Sequence, residues 1–388
     1  MTENKVERKV PLYDLKLSRQ AIDGVAKVLK SGWLTTGSQV AAFEAALVKR
    51  IHVRNVTAVS SATAGLQATL EALGVEGKEV ITSPFTFVAT VEAIVRAGGS
   101  PIFADIDPAT LNIDPDEVAR KVTNKTSCVL PIDIAGQLAD YPRLKKVCEH
   151  HKLPMIADAS HSFGASLKRK TTAQWTDAAI HSFQATKNLT TGEGGCVATR
   201  HKILHARLRP MTLHALTSNA YQRREAGEWQ YDVVGLGMKA NLTDMQAAVG
   251  LGQLEVFDAD QAKRARLAER YNQRLADFHE MLEIPYVKPG AVHAWHLYII
   301  RLHLSHLKID RQQFIALMKE AGIECSVHYR PVFDLAYYQQ LGFKPKHYPN
   351  AEYAGRRVVS LPMFASLPLK DVDYVCDRIE EIVARYRC

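Results

Sequence analysis

The chain has 388 residues, a formal net charge of +8, 47 % hydrophobic and 23 % charged residues, which is the composition of a globular protein long enough for two domains. No apolar run reaches the ~18–20 residues of a membrane span, and the polar start Met1-Thr2-Glu3-Asn4-Lys5 lacks a signal-peptide core, so no membrane partner and a cytoplasmic location are expected. The basic residues are scattered, the densest cluster being Lys168-Arg169-Lys170; no nucleic-acid surface is expected, and the cluster reads either as a solvated loop or as an attractor for a diphosphate-bearing substrate.

From about residue 55 to 200, short β-branched runs alternate with helical patterns, as in βαβ units around a mostly parallel sheet. Seven strands are predicted, at Asn55–Val59, Glu79–Thr82, Pro101–Asp105, Cys128–Ile132, Met155–Asp158, Ala178–Phe183 and Cys196–Thr199. Helices are predicted over Thr63–Leu73, where Leu66, Leu70 and Leu73 share a face and Gly74 stops the run, and over Phe85–Ala97 and Tyr141–His151. After Thr243, which forms a capping-box pattern with Gln246, a long amphipathic stretch runs from Asp244 to about Phe278. It should hand over from a large domain at residues 1–255 to a smaller α/β domain at 256–388. In the latter, strands are predicted at His296–Leu302 and Glu324–His328 and helices at Arg311–Ala321 and Val372–Arg385. The six cysteines include no C-x-x-C pair and no histidine at zinc spacing, so they read as reduced residues, with no metal.

Several residues along this frame suit one chemistry. Ser60-Ser61-Ala62-Thr63 follows a strand and opens a helix, a place where free N–H groups and the helix dipole favour a phosphate. Phe87, at the next strand's carboxyl end, could lie over a flat heterocycle. Asp158 ends a strand in Asp158-Ala159-Ser160-His161. Lys187 sits in Ser182-Phe183-Gln184-Ala185-Thr186-Lys187-Asn188-Leu189, just before Gly192-Glu193-Gly194-Gly195. Each alone has an ordinary reading, as a helix cap, a core aromatic or a solvated side chain. Together they supply what pyridoxal phosphate requires: an amine for its aldehyde and a carboxylate that keeps its pyridine nitrogen protonated. Burial would bring the lysine toward a reactive free amine, with Ser182 and Asn188 as flanking hydrogen-bond partners.

The chain resembles the DegT/DnrJ/EryC1/StrS sugar aminotransferases, fold-type-I pyridoxal-phosphate enzymes. The likeness begins at Gly32-Trp33-Leu34-Thr35-Thr36-Gly37 and ends at Ser360-Leu361-Pro362. Its most specific stretches are 182–195 and Ala240-Asn241-Leu242-Thr243-Asp244. The resemblance implies a fold-type-I transferase with a mostly parallel seven-stranded sheet and a smaller C-terminal α/β domain. It implies Lys187 as the Schiff-base lysine and proton shuttle, Asp158 as partner of the pyridine nitrogen, His161 on the phenolic oxygen and Phe87 as the stacking aromatic. Ala62, Thr63 and Ser182 would cradle the phosphate, completed by Asn241 of a second subunit, so that a homodimer shares its active sites. Thr35, Thr36, His328, Tyr329 and Arg330 are implied as substrate contacts. The expected reaction moves an amino group from L-glutamate or L-glutamine to a keto carbon of a nucleotide-diphosphate sugar. The context of Asn241 resembles members acting at C4; C3 activity, a sugar dehydratase and a non-catalytic sensor are the alternatives, and Lys187 opposes the dehydratase, whose relatives carry histidine there. The chain departs from the family at Ala62, commonly glycine, at Ile134-Ala135-Gly136, commonly Leu-Tyr-Gly, at Phe333, commonly histidine, and in the glycine-poor loop 166–176.

Overall fold

The computed structural model describes residues 8–388. Seven strands build one large twisted sheet: β1 Asn55–Val59, β2 Glu79–Thr82, β3 Ser100–Phe103, β4 Thr126–Leu130, β5 Ile156–Asp158, β6 Ala178–Ser182 and β7 Gly195–Thr199. Ladders join β1-β7-β6-β5 and β3-β2-β4. Bridges Val129↔Met155 and Ile132↔Asp158 link the two groups through β4 and β5, giving the order β1-β7-β6-β5-β4-β2-β3. Only β7 runs against its neighbours. The other strands need crossovers, and helices supply them, which is why sequence alternation reads as a parallel sheet. The fold is therefore the fold-type-I α/β architecture that the resemblance implies.

Element boundaries follow local chemistry. The helix Ala62–Leu73 starts where the Ser61 hydroxyl accepts from the N–H of Ala64, and it ends at Gly74, whose φ of 68° is left-handed. The helix predicted from Phe85 begins only at Val88, because Pro84–Phe87 forms the turn that leaves β2. The capping box of Thr243 and Gln246 opens a continuous helix, Asp244–Leu275. Its first half carries Ala247 and Phe257 into the apolar cluster on one face of the large sheet. Its second half carries Leu267, Tyr271 and Leu275 into a separate C-terminal cluster.

That C-terminal part is built on a three-stranded antiparallel sheet, β8 Leu282–Glu283, β9 Tyr298–Leu302 and β10 Val358–Leu361, with β9 in the middle. The helix Arg311–Glu320 packs on it, and Leu369–Arg385 packs against that helix and the long one, adding Val372, Val375 and Ile379 to the same apolar cluster. No strand forms at 324–328. That segment forms one bridge to β10, Ser326↔Ser360, with His328 Nδ1 2.8 Å from Ser360 Oγ, and then turns away toward Pro331, which has no N–H to give a ladder. The segment 8–10 also lies here: Val10 donates to Gly322 O (2.9 Å), accepts from the N–H of Glu324 (3.0 Å), and Arg8 pairs with Asp371. Among the described residues no helix is long and apolar enough to cross a membrane, no cluster of metal-binding side chains occurs, and all six cysteines are unpaired.

Beneath the sheet's carboxyl edge Asp133 is fully buried. Its carboxyl group accepts from Ala139 N–H (2.9 Å), Tyr141 Oη (2.8 Å), Ser162 Oγ (2.6 Å) and Thr172 Oγ1 (2.7 Å). Burial pushes its pKa up to about 6, against the downward pull of those four donors. Its own N–H bonds to Asp158 O (3.1 Å), so the network holds the end of β5. Asp133→Ala removes the acceptor shared by four buried donors, of which Ser162 Oγ keeps the longer bond to Ala159 O (3.3 Å). We expect it to lower the unfolding free energy by about 3–5 kcal/mol, read by urea denaturation.

Candidate active site

A cavity of about 410 Å³ opens at the carboxyl ends of β1, β2, β5 and β6, where an α/β sheet offers loops and helix N-termini to a ligand. It is lined by Ala62, Thr63, Phe87, Asp158, His161, Ser182, Lys187, His328 and Tyr329, which lie far apart in the sequence.

On one wall is the start of the helix Ala62–Leu73. Ser61 is spent on Ala64, so the N–H groups of Ala62 and Thr63 have no acceptor within the helix. Ala62 has an ordinary negative φ, so its methyl group, in place of the family's common glycine, causes no backbone strain. Strand β7 passes directly behind: a Cβ at Gly195 would sit 2.8 Å from Ala62 N and 2.7 Å from His181 O, so only glycine fits. Ser182, at the end of β6, lies beside them.

Asp158 ends β5, with Oδ2 accepting from Thr90 Oγ1 (2.7 Å) and Oδ1 from the N–H of Ser160 (3.1 Å). Thr90 in turn meets Thr86 (3.0 Å). Both partners fix the carboxyl group while its cavity side stays open to a ligand. His161 is buried, with Nε2 3.0 Å from the Tyr329 hydroxyl and its ring stacked on that phenol at 5.9 Å. Its Nδ1 is buried without a partner. Burial, then the charges of Lys187 and His328, hold its pKa well below the usual histidine value.

Lys187 rises from the loop between β6 and β7. Burial pulls its amine down to about 8, against the upward pull of Asp158. Its Nζ lies 3.4 Å from His296 Nε2. The turn Ala135-Gly136 fastens the segment behind it: Ala135 O accepts from the N–H groups of His296 (3.0 Å) and Leu297 (3.2 Å), and Gly136 O from that of Ala294 (2.8 Å). Phe87 stands at the mouth, 58 % exposed and 6.1 Å from the Tyr329 ring, whereas Phe85 is fully buried in the core.

The other expected residues lie elsewhere. Asn188 faces away from the cavity, giving its amide to Ala294 O (2.6 Å) and Gln261 Oε1 (3.1 Å). Thr35, Thr36 and Asn241 gather beside the edge strand β1, where Asn241 bonds Thr36 Oγ1 (2.7 Å) and bridges Val59. Arg330 is exposed and donates to Asp334 O (2.9 Å). Phe333 is fully buried against Tyr348. The loop 166–176 lines a different recess with Arg50 and His52. Thr90, Gln184, Glu193 and His296, to which the sequence reading gave no role, complete the site. His296 is separated from Lys187 by 109 positions and sits in an ordinary strand approach.

These residues fit pyridoxal phosphate: an anion-seeking helix start, a fixed carboxyl group, an amine of lowered pKa and an unpartnered buried imidazole nitrogen converge on one cavity. Comparison with known proteins agrees. The model of the DegT/DnrJ/EryC1/StrS aminotransferase family matches residues 16–380. The spore coat polysaccharide biosynthesis protein SpsC of Bacillus subtilis is 38 % identical over 376 residues, covering 96 % of both chains. Spr1654 of Streptococcus pneumoniae, solved in PLP and PMP forms, superposes with a TM-score of 0.89 at 28 % identity; its PMP form matches over 96 % of this chain and 100 % of its own. DesI, solved in the presence of its TDP-sugar product, superposes at 0.87 and 28 % identity over 98 % and 94 % of the two chains.

Proposed function

The chain belongs to the DegT/DnrJ/EryC1/StrS aminotransferase family, and from that premise we propose that it moves an amino group from L-glutamate or L-glutamine to C4 of a nucleotide-diphosphate keto sugar. It is a pyridoxal-phosphate-dependent sugar aminotransferase; the donor, the carbon and the residue roles are the proposal. The cofactor, when bound, supplies an aldehyde carbon and a protonated ring that draws electrons from the carbon carrying the transferred amine.

In this reading Lys187 Nζ anchors the cofactor, takes the proton from the donor's α-carbon and returns a proton to the sugar carbon. Asp158, fixed by Thr90 and Ser160, holds the pyridine proton. His161 gives its unpartnered Nδ1 to the phenolic oxygen. Phe87 covers the ring, and Ala62, Thr63 and Ser182 receive the phosphate. His328, Tyr329 and Arg330, with Thr35 and Thr36, are assigned to substrate.

The observation that carries the proposal is the buried Lys187 amine, lowered to about 8 across the cavity from Asp158. A base of that pKa is about one-tenth neutral at pH 7, a far larger neutral share than an ordinary lysine holds there. A cytoplasmic homodimer with shared sites is part of the same reading. It is supported by Asn241 lying outside its own chain's cavity lining and by the exposed apolar arm with Trp229 (81 %) and Leu236 (93 %).

The test is a two-stage one. Purified enzyme with cofactor should lose its visible band on adding L-glutamate while 2-oxoglutarate accumulates, and the band should return when a 4-keto nucleotide sugar is added. Return with a 3-keto sugar alone would move the reaction to C3; no bleaching with either donor would reject the proposal.

A pH dependence follows from the same amine. Below about pH 8 Lys187 is mostly ammonium, and its neutral fraction falls about tenfold for each further unit. The rate at which cofactor-free protein takes up pyridoxal phosphate should therefore climb with pH and level off above about 8, as followed by stopped-flow absorbance.

A further inference from the structure

We propose that His296, its tautomer fixed by Asn188, is a positioning residue that aims the lone pair of the free Lys187 amine into the cavity. The inference rests on the proton-transfer role assigned to Lys187 above.

The argument is one of hydrogen bookkeeping. Both N–H bonds of the Asn188 amide are committed, one to Ala294 O at 2.6 Å and one to Gln261 Oε1 at 3.1 Å. Ala294 O can only accept, so the amide cannot be turned over. Gln261 is oriented by the same carbonyl, to which its own Nε2 donates at 2.6 Å. The atom of Asn188 facing His296 Nδ1, at 3.3 Å, is therefore the oxygen Oδ1, and it requires a donor. Nδ1 carries the hydrogen.

The imidazole is buried, and a proton on it would meet the nearby Lys187, His161, Arg264 and His328; burial first, then these neighbours, hold its pKa well below the ordinary histidine value. A neutral ring has one N–H. With that hydrogen on Nδ1, Nε2 presents a bare lone pair 3.4 Å from Lys187 Nζ, so the lysine is the donor there. The backbone cannot relax this arrangement easily, since the N–H of His296 is held by Ala135 O at 3.0 Å and its ring lies 4.5 Å from that of His161.

A neutral lysine amine has two N–H bonds and one lone pair. Giving one N–H to His296 leaves the lone pair and the other N–H to face the cavity that Lys187 lines. When the C–H bond of the donor breaks, its electron pair stays on carbon and the proton joins the Lys187 lone pair; the reverse occurs at the sugar carbon. His296 keeps its single proton throughout. It could not serve as the base itself, because protonating Nε2 would place an imidazolium against Lys187, His161 and Arg264.

The first test needs no cofactor. In ¹⁵N-histidine spectra of the cofactor-free protein, His296 should appear as the Nδ1–H tautomer from pH 6 to 8 and lose that preference in Asn188→Leu. The second compares His296→Phe, which cannot accept a hydrogen bond, with His296→Gln, whose Oε1 can. With cofactor bound, H296F should slow the single-turnover reaction with glutamate by about 10–100-fold. Its cofactor band and glutamate affinity should be unchanged, and the isotope effect with α-deuterated glutamate should be larger. H296Q should recover most of the rate. An Nε2–H tautomer, equal rates in H296F and wild type, or equal damage in both variants with loss of the cofactor band would overturn the inference. A wild-type enzyme inert to glutamate and glutamine would instead strike the function proposed above, and the tautomer measurement would still stand on its own.

Discussion

Lys187→Ala should abolish turnover, with a loss of about 10⁴-fold or more, while leaving the protein folded and no less stable. The first half follows from the concentration of roles in one atom: anchoring the cofactor, accepting the donor's α-proton and delivering a proton to the sugar carbon. The second follows from burial. An amine whose pKa has been pulled from 10.5 to about 8 is one whose charged form the folded state disfavours. In the folded protein its recorded polar contact is the long 3.4 Å approach to His296. Removing it therefore relieves a cost instead of opening a network. Thermal melts of cofactor-free wild type and K187A at pH 7 should show equal or higher stability for the variant, alongside loss of the cofactor's lysine-dependent band. A variant that unfolds would make the loss of activity uninformative, and a variant that retains even a hundredth of wild-type turnover would remove Lys187 from the role given to it.

Asp158→Asn should cost on the order of 10³-fold in turnover, about 4 kcal/mol at the barrier. The substitution is nearly isosteric, and its hydrogen bonds can be rearranged. The new Oδ1 still accepts from the N–H of Ser160, and the new amide group faces Thr90, whose hydroxyl can turn to donate to Thr86 3.0 Å away. What disappears is the negative charge, and with it the proton on the cofactor's ring nitrogen. A second effect runs the other way. Asp158 raises the Lys187 pKa, so its neutralisation should lower that pKa further. The pH at which cofactor capture reaches half its maximum should move below about 8 in D158N although catalysis collapses. Capture and turnover measured on the same preparation would show the two shifts in opposite senses. A parallel loss in both would mean that Asp158 acts only by keeping the site folded.

Much of this was legible in the chain. Strand and helix signals are local, so the seven strands of the large sheet and the caps at Gly74 and Thr243 could be read within a residue or two of their positions. The residues proposed to hold the cofactor share one cavity because a parallel sheet delivers the carboxyl ends of β2, β5 and β6 to one edge, placing Phe87, Asp158, His161 and Lys187 together. His296 was not legible. It arrives through a turn at Ala135-Gly136 from a segment whose pattern is that of an ordinary buried strand, and only tertiary packing puts it beside Lys187. The strand expected at 324–328 failed for a related reason. β-propensity favours it, but the segment leaves the sheet after one bridge and places His328 and Tyr329 in the cavity.

The N-terminal contacts with the C-terminal part impose an order on synthesis. Arg8 reaches Asp371, a partner 363 positions later, and Val10 pairs with Gly322 and Glu324. At the ribosome's pace of about 5–20 residues per second, the first of these contacts waits roughly 20–70 s for its other half. The large sheet closes earlier, once β7 has emerged to take its place between β1 and β6. Until Gly322 and Glu324 emerge, the segment 8–10 lacks these partners, and it is then within reach of proteases and of neighbouring nascent chains. The last helix, which carries Asp371, completes its docking.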